Sequence, residues 1–289
     1  MATANGWVDD FVRARSLPAS WHARAGVHLD TLAGWLNDSG LRLIGISGAQ
    51  GTGKSSVSDY LAAALEKRYG RRTCVLSLDD YYVSKSERLE LAEHVHPLLA
   101  TRGVPGTHDI DGLSGTVEAL LGESGGELRI PVFDKGSDDR LPAERWRKAA
   151  PSPDFVLLEG WCIGARAQTG AELEAPINAL EATEDPDGSW RRWVNEQLAL
   201  RYEPLYDKLD ALVFLQVPGL AAVLRWRGLQ EHKLIAATGK GMSDAEIARF
   251  IGHYERLTRS CLQLLPGTAD ACIELDDDHN VASLRFRNA

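Results

Sequence analysis

The octapeptide Gly48-Ala49-Gln50-Gly51-Thr52-Gly53-Lys54-Ser55 narrows what this chain can be more than anything else in it. It fits the pattern G-x-x-x-x-G-K-[ST] without a mismatch. An apolar run, residues 41–47, leads in, and a run with Val57, Tyr60, Leu61, Ala64 and Leu65 on one helical face leads out. The spacing has a physical reason. Glycines let the backbone curl until successive N–H groups point at one centre, and the helix that follows adds about half a positive charge at its N-terminus. Lys54 then reaches the β- and γ-phosphates as a point charge, the Ser55 hydroxyl suits Mg²⁺, and Ser56 continues the nucleotide-binding turn. The segment Gly48–Ser56 is therefore expected to bind ATP.

The motif names a nucleotide but no reaction. A GTPase needs an Asn-Lys-x-Asp guanine reader, and the chain contains no Asn-Lys pair. Leu113-Ser-Gly-Thr116 fails as a transporter-type ATPase signature. A dinucleotide fingerprint fails as well, because Gly51-x-Gly53 is followed by Ser56 where glycine is required. Charge narrows the partners further: 32 basic against 41 acidic residues leave −9, the wrong sign for a chain that lives on nucleic acid or anionic lipid. No stretch approaches 18 apolar residues and the start carries no basic, apolar leader. The four cysteines, at 74, 162, 261 and 272, form no CxxC and no zinc spacing, as expected of buried thiols in a reducing, cytoplasmic compartment.

Beyond the motif the chain keeps a strand–helix rhythm. Residues 7–38 read as helical, 41–47, 73–78, 154–158, 210–217 and 271–275 as strands, and 54–69 and 219–237 as helices. Ser243-Asp-Ala-Glu246 is a capping box that opens a long helix ending at Pro266-Gly267. Turns are expected at 122–126, and 167–190 reads as an excursion over the surface. The class is α/β: a three-layer P-loop architecture with a mostly parallel five-stranded sheet and helices on both faces. Residues 1–40 are expected to pack as a helical segment on a kinase domain, 41–289, with a lid around 219–240.

In such a sheet, ligands bind beyond the carboxyl ends of the strands. Asp79-Asp80-Tyr81-Tyr82 and Glu159-Gly160-Trp161 stand there. An acid beside the γ-phosphate can take the proton of an attacking hydroxyl or hold Mg²⁺, so Asp79 is assigned as base and Glu159, with Asp79 and Ser55, to the metal. Two loops with mixed polar groups feed the same edge: Arg102 to Asp109, with His108, and Pro131 to Arg140, with Asp134 and Lys135. Together with Asp80 and Tyr82 they are assigned to the substrate. Arg225-Trp-Arg227, with Lys233 farther along, offers a basic lid that spreads transition-state charge.

Taken in order, Gly-Ala-Gln-Gly-Thr-Gly-Lys-Ser, Ser-Leu-Asp-Asp-Tyr-Tyr, Arg-Gly-Val-Pro-Gly-Thr-His-Asp, Pro-Val-Phe-Asp-Lys, Glu-Gly-Trp-Cys-Ile-Gly and Arg-Trp-Arg resemble the P-loop D-glycerate 3-kinase group, itself related to uridine kinase and pantothenate kinase. Residues 239–246 followed by Tyr254 resemble it too, so the likeness spans residues 17–285. The resemblance implies transfer of the ATP γ-phosphate to a hydroxyl of a small molecule, D-glycerate first among them, with ATP and Mg²⁺ and no nucleic-acid or membrane partner. It places Asp79 at the base, Glu159 at the strand-end acid, Lys54 at the phosphates, Arg225 and Arg227 in the lid, and Asp109, Asp134 and Lys135 in substrate loops. A carboxylate on the acceptor wants a basic partner, and Arg102, Lys135, Arg140 and Arg166 are all candidates. Other acceptors on the same scaffold, of uridine or pantothenate type, and a non-metabolic ATP switch are the competing readings. The oligomeric state is not legible.

Overall fold

Four apolar segments are buried on nearly every residue, the condition under which strands join a parallel sheet covered by helices, and a fifth, residues 73–77, alternates at the edge beside them. The computed structural model describes residues 6–122, 126–238 and 241–287; the centre of the turn at 122–126, residues 239 and 240 of the 239–246 stretch, and the Lys233 side chain lie outside that set. The strands are β1 (Leu43–Gly48), β2 (Thr73–Ser77), β3 (Phe155–Gly160), β4 (Ala211–Gln216), β5 (Ala271–Leu275) and β6 (Val281–Phe286). Their order across the sheet is β6-β5-β4-β1-β3-β2, parallel throughout except for β6, which runs antiparallel to β5. The sheet is α/β as expected, with one more strand than the five read from sequence. Val-Ala-Ser-Leu-Arg-Phe alternates and stays half-exposed, as an edge strand does, and so lacks the continuous apolar run of the central strands.

β1 carries the fold. All six of its residues are buried. Ile44 and Ile46 face the helices α1 (Val27–Ser39) and α2 (Lys54–Tyr69), in one core with Leu157, Val213 and Ile273. Leu43 faces the other way, in a second core with Leu76, Val156, Phe214 and the helix α3 (Ile110–Leu121). Each such Leu or Ile contributes about 1.5–3 kcal/mol by leaving water. The helix α4 (Leu220–Thr238) covers the first core, and α5 (Asp244–Thr268) touches both. α5 opens on the capping box read from sequence, Ser243 Oγ accepting from the Glu246 N–H at 3.4 Å and Glu246 Oε2 from the Ser243 N–H at 2.8 Å, and it runs two residues beyond Pro266. All four cysteines are buried and unpaired.

The N-terminal stretch is not one continuous helix. A helix over Gly6–Ala14 is followed by a turn at Ser16, whose φ of 51° is left-handed, and a single wide turn at His22–Gly26 leads into α1. Residues 128–149 form two short antiparallel pairs, Leu128–Ile130 with Arg147–Ala149 and Phe133–Asp134 with Asp139–Arg140.

The stretch 167–190 is tied down rather than laid loosely over the surface. The Arg256 guanidinium of α5 donates to both carboxylate oxygens of Glu181, at 2.8 and 2.6 Å, and to the Glu172 and Ala175 carbonyls, each at 2.8 Å. Arg191 donates to Asp185 at 2.9 Å, both buried. Removing one member of a buried pair leaves the other charge stranded. Arg256→Ala is therefore expected to cost about 3–5 kcal/mol in urea unfolding; a loss under about 1 kcal/mol would assign the pair to the solvated surface.

Candidate active site

The strand register builds the site. β3 lies between β1 and β2 with Glu159 level with both Ile46 and Ser77, so the acid emerges between the phosphate loop and the end of β2. The Ser55 and Ser77 hydroxyls each donate to Glu159 Oε1 at 2.9 Å. Burial pushes the Glu159 carboxyl above its ordinary value, and the nearby Lys54 ammonium and the two hydroxyls only partly offset this. Gly53 starts α2 with a φ of 87°, a left-handed conformation that frees the loop to close over its own centre. Inside the loop, Lys54 Nζ and Thr52 Oγ1 both donate to the Ala49 carbonyl, at 3.0 and 2.9 Å. Burial lowers the Lys54 pKa, with Glu159 and Asp79 pulling it back up.

Asp79 lies in a short 3₁₀ turn, Leu78–Tyr81, that ends β2. Lys135 Nζ donates to its Oδ2 at 2.7 Å and the Tyr82 hydroxyl to its Oδ1 at 2.7 Å. Burial alone would raise the Asp79 carboxyl. Lys135, Tyr82 and Lys54 outweigh it and hold the pKa below the ordinary aspartate value, so this group is held as an anion.

One cavity of about 460 Å³ joins these groups. Gln50, Gly51, Gly53, Lys54, Ser55 and Ser56 line it on the phosphate-loop side. Asp79, Tyr82, Arg102, Lys135, Glu159 and Arg227 line it opposite. The Arg227 guanidinium pairs with Glu231 at 2.7 Å and lies 5.5 Å from the Phe250 ring centroid. Gly48, Ala49 and Thr52 shape the loop from behind without lining the cavity.

Six other expected residues are held elsewhere. Arg225 is exposed and donates to Asp277 Oδ1 at 2.6 Å, in the β5–β6 turn, because it leaves α4 on the side facing away from Arg227. His108 is buried against Tyr202, with 2.7 Å between its Nδ1 and the tyrosine hydroxyl, and burial lowers its pKa to about 3. Asp109 caps α3 through the Gly112 N–H at 2.9 Å. Asp134 accepts from Gly136 and Ser137 in its own turn. Arg140 donates to the Tyr82 carbonyl at 2.9 Å, and Asp80 Oδ1 accepts from the Phe133 N–H at 3.3 Å. Arg140 and Asp80 thus join the 131–140 loop to the residues that follow β2, and none of the six lines the cavity. Burial raises the Asp80 carboxyl.

Sequence reasoning gave no role to Ser77, Trp161, Phe250 and Tyr254, which also line the cavity. Trp161 Nε1 donates to the Gly103 carbonyl at 2.9 Å and the Tyr254 hydroxyl to the Arg102 carbonyl at 2.8 Å. Gly103 has a φ of 127°, and a Cβ there would stand 2.2 Å from the Tyr254 oxygen. The glycine in Arg-Gly-Val-Pro-Gly was the available signal that something packs hard on that backbone.

No family model matches the chain. It is 37% identical over 219 residues, 73% of this chain and 78% of the relative, to "Uncharacterized kinase mug58" of Schizosaccharomyces pombe. It is 29% identical over 260 residues, 83% and 87% of the two chains, to "Probable ATP-dependent kinase TDA10" of Saccharomyces cerevisiae. Among solved structures it shares its fold with a D-glycerate 3-kinase from Cryptococcus neoformans, at a TM-score of 0.73 and 24% identity, over 89% of this chain and 98% of that one.

The Glu159 shift carries a sign that can be measured. A carboxyl whose pKa rises on folding weakens the fold as the pH climbs through that raised value, because its ionisation is then easier in the unfolded chain. The Tm of Glu159→Gln minus that of the unchanged protein should therefore become more positive from about pH 4 to about pH 8. A difference that stays flat with pH would show that Glu159 titrates normally.

Proposed function

We propose, on the premise that the chain belongs to a P-loop kinase family related to uridine kinase and pantothenate kinase, that it transfers the γ-phosphate of ATP to a hydroxyl of a small hydroxy acid, with D-glycerate as acceptor. The observation that carries this is the single cavity in which the phosphate loop faces an ionised, partly exposed aspartate and a set of cations. Phosphoryl transfer needs little else from a protein than position and charge. Lys54 and the curled backbone N–H groups hold the phosphates. Asp79 accepts the proton of the attacking hydroxyl, an effect worth about 10²–10⁴ in rate. Lys135 releases that carboxylate as the hydroxyl takes its place. Arg227, on α4, serves the leaving phosphates from the rim, and the helix acts as the lid over the cavity.

The donor set suits Mg²⁺. The Ser55 hydroxyl and the Glu159 carboxylate are hard oxygen ligands in contact with each other, and Glu159 is a buried acid whose ionised form gains from a cation. Those two residues would hold the ion, which supplies charge neutralisation at the phosphates when bound. A second cavity, of about 250 Å³, lies on the far side of Thr52, Gly53 and Ser56 and is walled by Trp21, Leu275 and His279, among others. Its apolar walls suit the base of the nucleotide.

ADP release with Mg-ATP should rise with D-glycerate and stay near the no-acceptor level with L-glycerate, uridine and pantothenate. Nucleotide binding without turnover on any acceptor would remove the reading. Asp79→Asn should lower kcat at least about 10²-fold while ATP still binds; an unchanged kcat would remove Asp79 as base.

A further inference from the structure

A carboxylate on the acceptor needs a cation that is free to receive it, and the cavity can be searched for one. Among the described residues, the cations lining it are Lys54, Arg102, Lys135 and Arg227. Lys54 belongs to the phosphate loop. Lys135 is committed to Asp79 at 2.7 Å. Arg227 is paired with Glu231, which is almost fully buried and cannot turn to solvent. The two remaining arginines considered from sequence are engaged outside the cavity. Arg140 serves the Tyr82 carbonyl and Asp109, and Arg166 pairs with Asp207 at 2.6 Å.

Arg102 differs in its charge balance. Its guanidinium is paired with Asp138 Oδ1, but that carboxylate is shared. Asp138 Oδ2 accepts from Arg88 Nη2 at 2.7 Å, and the Asp138 carbonyl accepts from the same nitrogen at 2.9 Å. Arg88 is fully buried and also donates to the Val83 carbonyl at 2.9 Å, so it cannot move with the substrate. Two guanidinium groups on one carboxylate leave a net charge of +1, and the end of that group lining the cavity is Arg102. Asp138 has a left-handed φ of 58°, an uncommon conformation that points to a backbone held in place by its contacts.

The placement also ties the cation to the base. The Arg102 guanidinium carbon lies 5.9 Å from the centroid of the Tyr82 ring, and the hydroxyl of that same ring is bonded to Asp79. The cation and the base thus meet on one tyrosine side chain, and all three residues line the cavity. The Phe133 ring, 5.3 Å from the guanidinium carbon, backs the arginine from its other loop.

We propose that Arg102 receives the carboxylate of the acceptor, and that Asp138, fixed by buried Arg88, is the positioning residue that presents it. This rests on the reading of the cavity as the site of an acidic acceptor and assigns the residue that selects the acid over a neutral alcohol or nucleoside.

Binding is measured first, without turnover, by calorimetric titration of D-glycerate and of its neutral amide, glyceramide, into protein saturated with Mg²⁺ and a non-hydrolysable ATP analogue. The acid should bind at least about 10-fold more tightly than the amide, the scale of a charge-assisted hydrogen bond. Arg102→Gln should weaken the acid about 10- to 100-fold, with the amide and the ATP analogue unchanged. Arg102→Lys, which keeps the charge and loses the planar fork, should fall between. In steady state, Asp138→Asn should raise KM for the acid several-fold with kcat held within about two-fold, a split that general loosening of the site would not produce. If Arg102→Gln loses the ATP analogue as well, Arg102→Lys and Asp138→Asn decide. Equal binding of acid and amide, no binding of either, or Arg102 variants that bind the acid as before would overturn the proposal. Acid bound through Arg102 without phosphorylation would instead uphold it and count against the kinase assignment of D-glycerate.

Discussion

Three charges that each resist burial share one small space, and the rest of the molecule is arranged to make that tolerable. Burial works against the charged form of Lys54, Asp79 and Glu159 alike; Lys54 offsets part of that for both carboxylates and they for it, while the two carboxylates oppose each other. Their separate origins are the point. Lys54 follows β1, Asp79 follows β2 and Glu159 ends β3, so only the parallel register of these strands brings the three together. Two apolar cores, one on each face, fix that register, because a slip by a single residue would exchange the faces of every strand. The stability of the sheet thus offsets a cluster of charge that the sheet itself does not need.

A second layer of support holds the cavity walls. The loop beginning at Arg102 is gripped by Trp161 from the end of β3 and by Tyr254 from α5. α5 is in turn anchored by Arg256 to the stretch 167–190. A residue far from any phosphate, such as Glu181, therefore contributes to the position of Arg102 through two intermediate contacts. The short Phe133–Arg140 hairpin acts on the same wall from the other side, with Lys135 on Asp79 and Asp138 on Arg102.

Most of the fold was legible because its signals are local. The phosphate loop, five of the strands, helix α2 and the capping box of α5 follow from periodicity and capping over a few neighbouring residues. β6 was not, since an alternating half-exposed edge strand differs little from a polar tail. In the site, strand-end acids are readable from topology, which is why Asp79 and Glu159 fall on the cavity together. Loop residues are not, because a polar side chain in a loop has its own backbone as a competing partner. Asp109 and Asp134 cap their own helix and turn, and Arg140 takes backbone carbonyls. Arg225 and Arg227 show the same limit on a helix: two positions apart they face different directions, and only one looks inward. Tyr254 was hidden by distance, joining a loop 152 residues earlier in the chain.

The four buried thiols give the molecule a built-in clock. Burial raises the Cys162 thiol to about 12, and Cys74, Cys261 and Cys272 are raised as well. A thiol so held has almost no thiolate at neutral pH and no route to a modifying reagent while the structure is closed. Its rate of labelling then counts excursions of the protein itself. The four also divide by location. Cys162 follows Trp161 at the cavity, Cys261 belongs to the C-terminal half of α5, and Cys74 and Cys272 share one face of the sheet on strands toward its two opposite edges. Labelling of Cys162 ahead of the other three would time the breathing of the cavity, and labelling of all four together would time the unfolding of the whole sheet.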